Sequence, residues 1–248
     1  MRTTFQGVWN ILRFNWHFYA LSLGFLVVLC VLAYLFSALS MYCVGGLVVL
    51  PTIISLAVSY YVYDVSGFYG LEWLENSLEN HEIININAGF DETSGLLQVK
   101  FPNANLSVID FYNPAKHTEI SIKRARKAYP SFPNTIAVAT THLPFADSIA
   151  DQIFIIFAAH EIRKEQERIA FFKELNRILK ATGQIIIVEH LRDTANLWAY
   201  TIGFLHFYSK NTWIKTLTAA NFQIQNEAKH TPFISIFTII KNGNTNTP

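Results

Sequence analysis

Histidines beside carboxylates are the residues of this chain best suited to chemistry. His160, Glu161 and Arg163 stand together in AAHEIR, and Glu189, His190 and Arg192 in VEHLRD. An imidazole near its ordinary pKa can remove a proton at neutral pH, and a neighbouring carboxylate can fix its orientation. His160 is the first candidate for such a base and His190 the second, with Glu161 and Glu189 as orienting groups. A structural use competes with this reading: the same residues can cap helices and form ion pairs, Glu161 with Arg192 for example. No spacing among the histidines and carboxylates is diagnostic of a metal site, so no metal is assigned. Downstream, LRDTANLWAYTIGFLHFYSKNTW concentrates aromatic side chains. Its Arg192, Tyr200, His206 and Phe207, with Arg163, are candidate substrate-binding residues on an apolar pocket or a surface resting on a membrane.

These side chains need elements to hold them. From residue 83 onward short apolar runs alternate with amphipathic stretches: IININA, then DETSGLLQVKF; LSVIDF, then HTEISIKRARKAY; TIAVAT; QIFIIFA, then RKEQERIAFFKELNRILK; GQIIIVEH; FQIQNEA and FISIFTIIK. Such alternation predicts βαβ units on a parallel sheet. The clearest helix is 163–180, where Ile169, Phe172, Leu175, Ile178 and Leu179 share a face. The runs IFIIF and IIIV read as central strands covered on both sides. A short connection over 228–231 makes the last two strands an antiparallel hairpin. Ligands of open α/β sheets bind beyond the carboxyl ends of the strands. His142, His160 and His190 fall at such ends, and His206 lies in the insertion before the hairpin.

Of 248 residues, 51% are apolar and only 15% charged, against roughly 25% charged in soluble domains. The net charge of +1 gives no basic field for nucleic acid. Between Arg13 and Asp64 there is no Asp, Glu, Lys or Arg, a run far longer than the roughly 20 residues one membrane helix needs. Two spans are expected, 19–40 and 45–63, with the break near 40–46, and Pro51 is a potential kink. A cleaved signal peptide would be shorter and end in small residues. Arg2 and Arg13 before the first span, and an uncharged turn between the spans, place both ends in the cytoplasm. The expected organisation is an anchor over 1–64, an interfacial helix over 65–82, a catalytic domain over 83–243 and a disordered tail over 244–248. Cys30 and Cys43 read as buried structural thiols.

The segment 83–241 resembles the class I S-adenosylmethionine-dependent methyltransferases, especially the branch containing ubiquinone and menaquinone C-methyltransferases. The run INAGFDETS matches the glycine-rich turn after the first strand, with Asn87 where the family's first glycine stands. The resemblance makes Asn87, Ala88, Gly89 and Asp91 cofactor-binding residues, with Glu92 an alternative partner for the cofactor's ammonium group. Asp110, about 20 residues beyond Gly89, takes the ribose hydroxyls, with Phe111 and Tyr112 flanking the adenine. The run TTHLPFADSIADQIFIIFAAHEI matches the adenine loop and fourth strand, bringing Thr141, His142, Leu143 and Ala158 to the cofactor; Ala139 replaces an acidic residue. FFKELNRILKATGQIIIVEHLRD matches the helix, turn and fifth strand that follow. The resemblance implies a Rossmann-like sheet behind two transmembrane helices, binding S-adenosyl-L-methionine. Joined to the two expected spans and the aromatic insertion, it leads to an expected integral protein of a bacterial inner membrane, O- or C-methylating a hydrophobic molecule of the bilayer such as a quinone, an aryl polyene or a lipid-linked aromatic. The alternatives are phospholipid N-methylation and a non-catalytic membrane module of the same fold.

Overall fold

A computed structural model describes residues 3–74 and 81–243. Its domain is built on a seven-stranded sheet of order β3-β2-β1-β4-β5-β7-β6. The strands are β1 (Glu82–Asn87), β2 (Asn105–Asp110), β3 (Ile136–Ala137), β4 (Ala150–Ile156), β5 (Leu179–Glu189), β6 (Phe222–Thr231) and β7 (Ile234–Lys241). Strands β1 to β5 pair in parallel, and β7 runs antiparallel to both β5 and β6. This is the mostly parallel, Rossmann-like sheet with a terminal hairpin that the sequence predicts.

The central strands are apolar on both faces because both faces are covered. Ile84, Ile86, Ile153, Ile155, Ile185 and Ile187 pack against Phe171 and Phe172 of α5 (Glu165–Ile178) and Trp213 of α7 (Lys210–Ala219). Ile83, Phe154, Ile186 and Val188 face Leu97 of α3 (Ser94–Lys100), Phe68 and Leu71. The remaining helices are α4 (Ile120–Ala128), which follows β2, and α6 (Thr194–Tyr200). The aromatic insertion is more ordered than its composition suggests. Asp193 accepts the Asn196 amide to start α6, a 3-10 turn covers Thr201–His206, and Ser209 accepts the Thr212 amide to start α7.

Two N-terminal helices, α1 (Gln6–Phe36) and α2 (Leu39–Tyr60), are long and apolar enough to cross a membrane. Only 6% of the most apolar window of each is buried, whereas the core helix of a soluble protein would be mostly covered. Their bounds differ from expectation. Helix α1 begins at Gln6 because Asp64, beyond α2, accepts the amides of Gly7 (2.7 Å) and Val8 (2.9 Å), replacing a local cap. Only glycine fits at position 7, since a Cβ there would stand 2.4 Å from Tyr63 Cβ. The break falls at Ser37, in a left-handed conformation, so Gly45 and Gly46 lie inside α2. Pro51 is accommodated inside α2, and the helical dihedrals fail instead at Asn15 of α1. Cys30 and Cys43 are exposed on these helices rather than buried. Past α2 the chain makes a π turn (Tyr61–Val65) and a 3-10 turn (Phe68–Gly70) in place of an interfacial helix. Residues 75–80 of that expected helix and the expected tail 244–248 lie outside the described residues.

Candidate active site

The carboxyl end of β1 leads into a turn where Gly89 has φ of 101°, a backbone that side chains rarely adopt. A Cβ there would stand 2.8 Å from Tyr112 Cδ2. Asp91 Oδ1 accepts the amides of Thr93 and Ser94, both at 2.9 Å, and so starts α3. Asp91 Oδ2 and Asn87 Nδ2 are buried without a hydrogen-bond partner. Burying such atoms unpaired costs roughly 1–3 kcal/mol each, and together they present one acceptor and one donor. Asn87 and Ala88 line a 150 Å³ cavity with Glu92, Thr93, Phe157 and Glu161. Glu92 is held from two sides, by Asn10 of α1 and by the Tyr69 hydroxyl.

Asp110 ends β2 beside this turn, as expected. Its Oδ1 accepts the Tyr112 amide at 2.8 Å, and its Oδ2 is ion-paired with Arg126 of α4. Arg126 also donates to the Gly89 carbonyl at 3.3 Å and lies 4.4 Å from the Tyr112 ring centroid. Asp110 is therefore engaged by the protein's own guanidinium. Phe111 is not a flanking ring but a core residue packed on Phe171. The Thr141–Leu143 segment departs from expectation too. After β3 the chain turns back along α5: Thr140 bonds Glu167, the Leu143 amide bonds Glu174, and Arg177 grips the carbonyls of Leu143 and Phe145. This carries Thr141 and His142 to an exposed surface and seals Leu143 in the core. Ala158 is likewise a core residue.

The histidines separate into two kinds. His160 follows β4 and meets Glu189, the last residue of β5. Its Nδ1 lies 2.7 Å from Glu189 Oε2, its amide donates to Glu189 Oε1 at 3.1 Å, and its Nε2 lies 3.2 Å from Glu161 Oε1. Burial pulls the His160 pKa down, but the two carboxylates outweigh it and hold it at about 10. Glu161 is drawn the other way: burial raises its pKa, and hydrogen bonds from His160 and His206 bring it well below the usual carboxylate range. His160 is thus an imidazolium with both nitrogens engaged, which cannot accept a proton, so it does not fit the role of free base. His190 is a buried, stacked ring. Burial lowers its pKa to about 4 despite the bond to the Phe233 carbonyl. In the neutral ring Nδ1 donates to that carbonyl (2.9 Å) and Nε2 accepts from the Tyr63 hydroxyl (2.7 Å), between Phe157 and Phe207. His190 ties the turn of the β6–β7 hairpin to the end of β5, and its two bonds leave it no nitrogen for acid–base work.

Of the residues expected at the substrate, Tyr200, His206 and Phe207 line a 790 Å³ groove between α1, α2 and the insertion. Its opposite wall includes Phe18, Tyr19, Leu47 and Pro51. His206 Nε2 lies 3.4 Å from Glu161 Oε1, and Glu161 also lines the cavity beside Asn87. The His206–Glu161 contact therefore stands between groove and cavity, one residue lining each. Arg163 binds the His206 carbonyl at 2.6 Å, and Arg192 binds the carbonyls of Leu205 and Phe207, so both arginines staple the insertion. The anticipated Glu161–Arg192 pair does not form. Sequence reasoning missed Glu119, which lines the groove just before α4, and Arg126 inside α4; both come from a stretch that reads as merely amphipathic.

Residues 104–187 match a family described as a methyltransferase domain. Similar solved structures include a SAM-dependent methyltransferase from Aquifex aeolicus, at 16% identity and a TM-score of 0.50, covering 77% of this chain and 98% of that one. Geranyl diphosphate C-methyltransferase from Streptomyces coelicolor A3(2) aligns at 7% identity and a TM-score of 0.52, over 75% and 82% of the two chains. Mitomycin 7-O-methyltransferase aligns at 11% and 0.50, over 77% and 57%. No curated protein sequence matches the chain. The fold is the class I methyltransferase fold. Residues 104–187 carry the match to the methyltransferase domain, and the sheet around them has the order found in these methyltransferase structures.

Proposed function

We propose that this chain is a membrane-anchored methyltransferase that uses S-adenosylmethionine to O- or C-methylate a hydrophobic small molecule delivered from the bilayer. The observation that carries this reading is the groove: one wall belongs to the two apolar helices, the other to the insertion, and at His206 it meets the carboxylate that borders the cofactor cavity. Exposed apolar side chains of the insertion, Trp198 and Ile202 among them, continue the apolar surface of the hairpin. A quinone, an aryl polyene or a lipid-linked aromatic has the size and polarity for such an entrance.

The residues present suit the cofactor. The unpaired donor Asn87 Nδ2 and the unpaired acceptor Asp91 Oδ2 complement the carboxylate and ammonium of its methionine part. Asp110 would take the ribose hydroxyls once Arg126 withdraws. When bound, S-adenosylmethionine supplies an electrophilic methyl group, and the protein's share is mostly placement. The hairpin and insertion enclose the acceptor, and His160, Glu161 and His206 hold its reacting end at the mouth of the cofactor cavity. Full-length protein in lipid nanodiscs should bind S-adenosylhomocysteine in calorimetric titration. With methyl-labelled cofactor it should place label in an apolar extract from its source cells. Folded protein that binds no S-adenosylhomocysteine would leave only the non-catalytic module, and label confined to phospholipid headgroups would shift the reading to N-methylation.

A further inference from the structure

His160 and His206 meet carboxylates in the same arrangement, reached from different parts of the chain, and Arg163 lies in addition against both ring nitrogens of His206. In each ring one nitrogen faces Glu161 Oε1, at 3.2 Å from His160 Nε2 and 3.4 Å from His206 Nε2. The other nitrogen of each faces a second carboxylate: Glu189 at 2.7 Å for His160 and Glu119 at 3.5 Å for His206. Two imidazoles turned toward one carboxylate, each backed by an acid on its far nitrogen, is the pattern of a metal site. The outer acids fix tautomer and ring orientation, and the inner three atoms converge.

We propose that His160 Nε2, Glu161 and His206 Nε2 bind one divalent transition-metal ion of the zinc class, and that this ion holds the acceptor by an ionised hydroxyl oxygen. Distances support the site. Ligands at about 2.0–2.1 Å around a tetrahedral ion stand about 3.3–3.4 Å apart, and the two edges through Glu161, 3.2 Å and 3.4 Å, are close to that length. All three ligand atoms lie within 4.8 Å of one another, so the third edge closes by a modest swing of His206. Charge supports it as well: with both imidazoles neutral, a doubly charged ion balances Glu161 and Glu189. Two nitrogen donors favour zinc or its neighbours over magnesium, which prefers oxygen ligands. The set is incomplete in the way a catalytic site must be. A His₂Glu triad leaves a fourth position for water or substrate, and here His206 lies on the groove while Glu161 borders the cofactor cavity. Arg163 lies against the His206 ring, 2.6 Å from Nε2, but is exposed and has a separate bond to the His206 carbonyl. Its terminal nitrogen can turn to solvent as the ion enters.

The second half of the proposal rests on the methyltransferase reading. Coordination lowers the pKa of a hydroxyl, as it does that of water, and the proton leaves to solvent. The oxygen lone pair then forms the new O–C bond while the C–S bond breaks and its electron pair stays on sulfur. An ion in this position, between groove and cofactor cavity, would supply an ionised nucleophile without a protein base, and it specifies phenols, catechols or hydroxyquinones as acceptors.

The test uses the full chain in nanodiscs, stripped with chelator and dialysed. Zinc bound per chain is counted after equilibrium dialysis, and cobalt(II) is titrated for its visible absorption, with magnesium as comparator. We expect one zinc or cobalt per chain and no displacement by magnesium. His206→Ala and Glu161→Gln should each weaken binding at least 100-fold, Glu189→Gln should weaken it 10- to 100-fold, and His142→Ala should not change it. S-adenosylhomocysteine binding, measured on the same samples, reports folding and cofactor affinity independently. Binding that survives both His206→Ala and Glu161→Gln, or no binding by protein that still takes up S-adenosylhomocysteine, overturns the metal site and leaves the methyltransferase reading intact. Zinc bound in a His206-dependent way by protein that takes up no S-adenosylhomocysteine establishes the site and removes the methyltransferase reading instead.

Discussion

Arg126 is paired with Asp110, the carboxylate proposed to take the cofactor's ribose, so replacing it should tighten cofactor binding. The Asp110 side chain is about 10% exposed and that of Arg126 about 34%, so the pair is partly screened and lies above the usual surface value of up to about 1 kcal/mol. A charge-assisted bond of this burial contributes about 1–2 kcal/mol, and the stack on Tyr112 adds about 0.5 kcal/mol. Entry of the ribose must disrupt both, less what the freed guanidinium regains in water. A net cost near 1.4 kcal/mol corresponds to about tenfold in affinity, the tax a closed conformer imposes on its ligand. Arg126→Ala should therefore lower the Kd for S-adenosylhomocysteine about tenfold in calorimetric titration, and Arg126→Lys by less. In an Asp110→Ala background the same substitution should have no such effect, because the competed partner is gone. Weaker binding by Arg126→Ala would show that the guanidinium contacts the cofactor. An unchanged Kd would show that the ribose does not reach Asp110.

Three further outcomes follow from single contacts. Gly89→Ala puts a side chain at φ of 101° and 2.8 Å from Tyr112; at about 2 kcal/mol of strain Tm should fall about 4–8 °C. The same variant should lose cofactor affinity at least tenfold, and calorimetry showing wild-type binding would remove the turn from the site. His190, held neutral with a pKa near 4, is uncharged in the folded state while the unfolded chain protonates near 6.5. Stability is therefore full above about pH 6.5 and declines as pH falls toward 4, by about 3 kcal/mol. His190→Gln should flatten that acid limb in unfolding midpoints taken from pH 7.5 to 4.5, and an unchanged slope would assign the loss to other groups. Asp64→Ala frees the amides of Gly7 and Val8. At about 1–2 kcal/mol for a lost cap their hydrogen exchange should accelerate about 5- to 30-fold with S-adenosylhomocysteine binding preserved, and unchanged protection would mean that α1 begins without this cap.

The sheet was legible because its signals are local. Runs such as IFIIF and IIIV must be covered on both faces, and a four-residue connection leaves the last two strands no crossover, so order and hairpin follow from the chain itself. The hairpin's existence was equally plain in fifty uncharged residues between Arg13 and Asp64, but its ends were not. Glycines at 45 and 46 suggest a break by propensity, whereas α2 runs through both and the break falls at Ser37. The start of α1 depends on a carboxylate 57 positions away. The same limit hid the fate of His142. The motif around it has the spacing of a cofactor loop, yet contacts to Glu167, Glu174 and Arg177, all on one helix face, draw it down the side of α5.

The candidate site residues illustrate where residue type stops being informative. His160 and His190 are both histidines at or just past strand ends, and AAHEIR and VEHLRD, which rank His160 first as a base, do not reveal how different the two rings are. The difference lies in what the fold brings to each ring. His190 receives two aromatic faces, a carbonyl and a tyrosine hydroxyl, all of which favour the neutral ring and leave it no unused nitrogen. His160 receives two carboxylates and a second imidazole, an environment that favours a cation whether that cation is a proton or a metal ion. The second imidazole arrives from the insertion, 46 residues along the chain, placed by arginine bonds to backbone carbonyls that carry no side-chain signature. A site of this kind is visible in a sequence only as an excess of histidine near strand ends; its chemistry is decided by which carboxylates the strands and the insertion deliver to each ring.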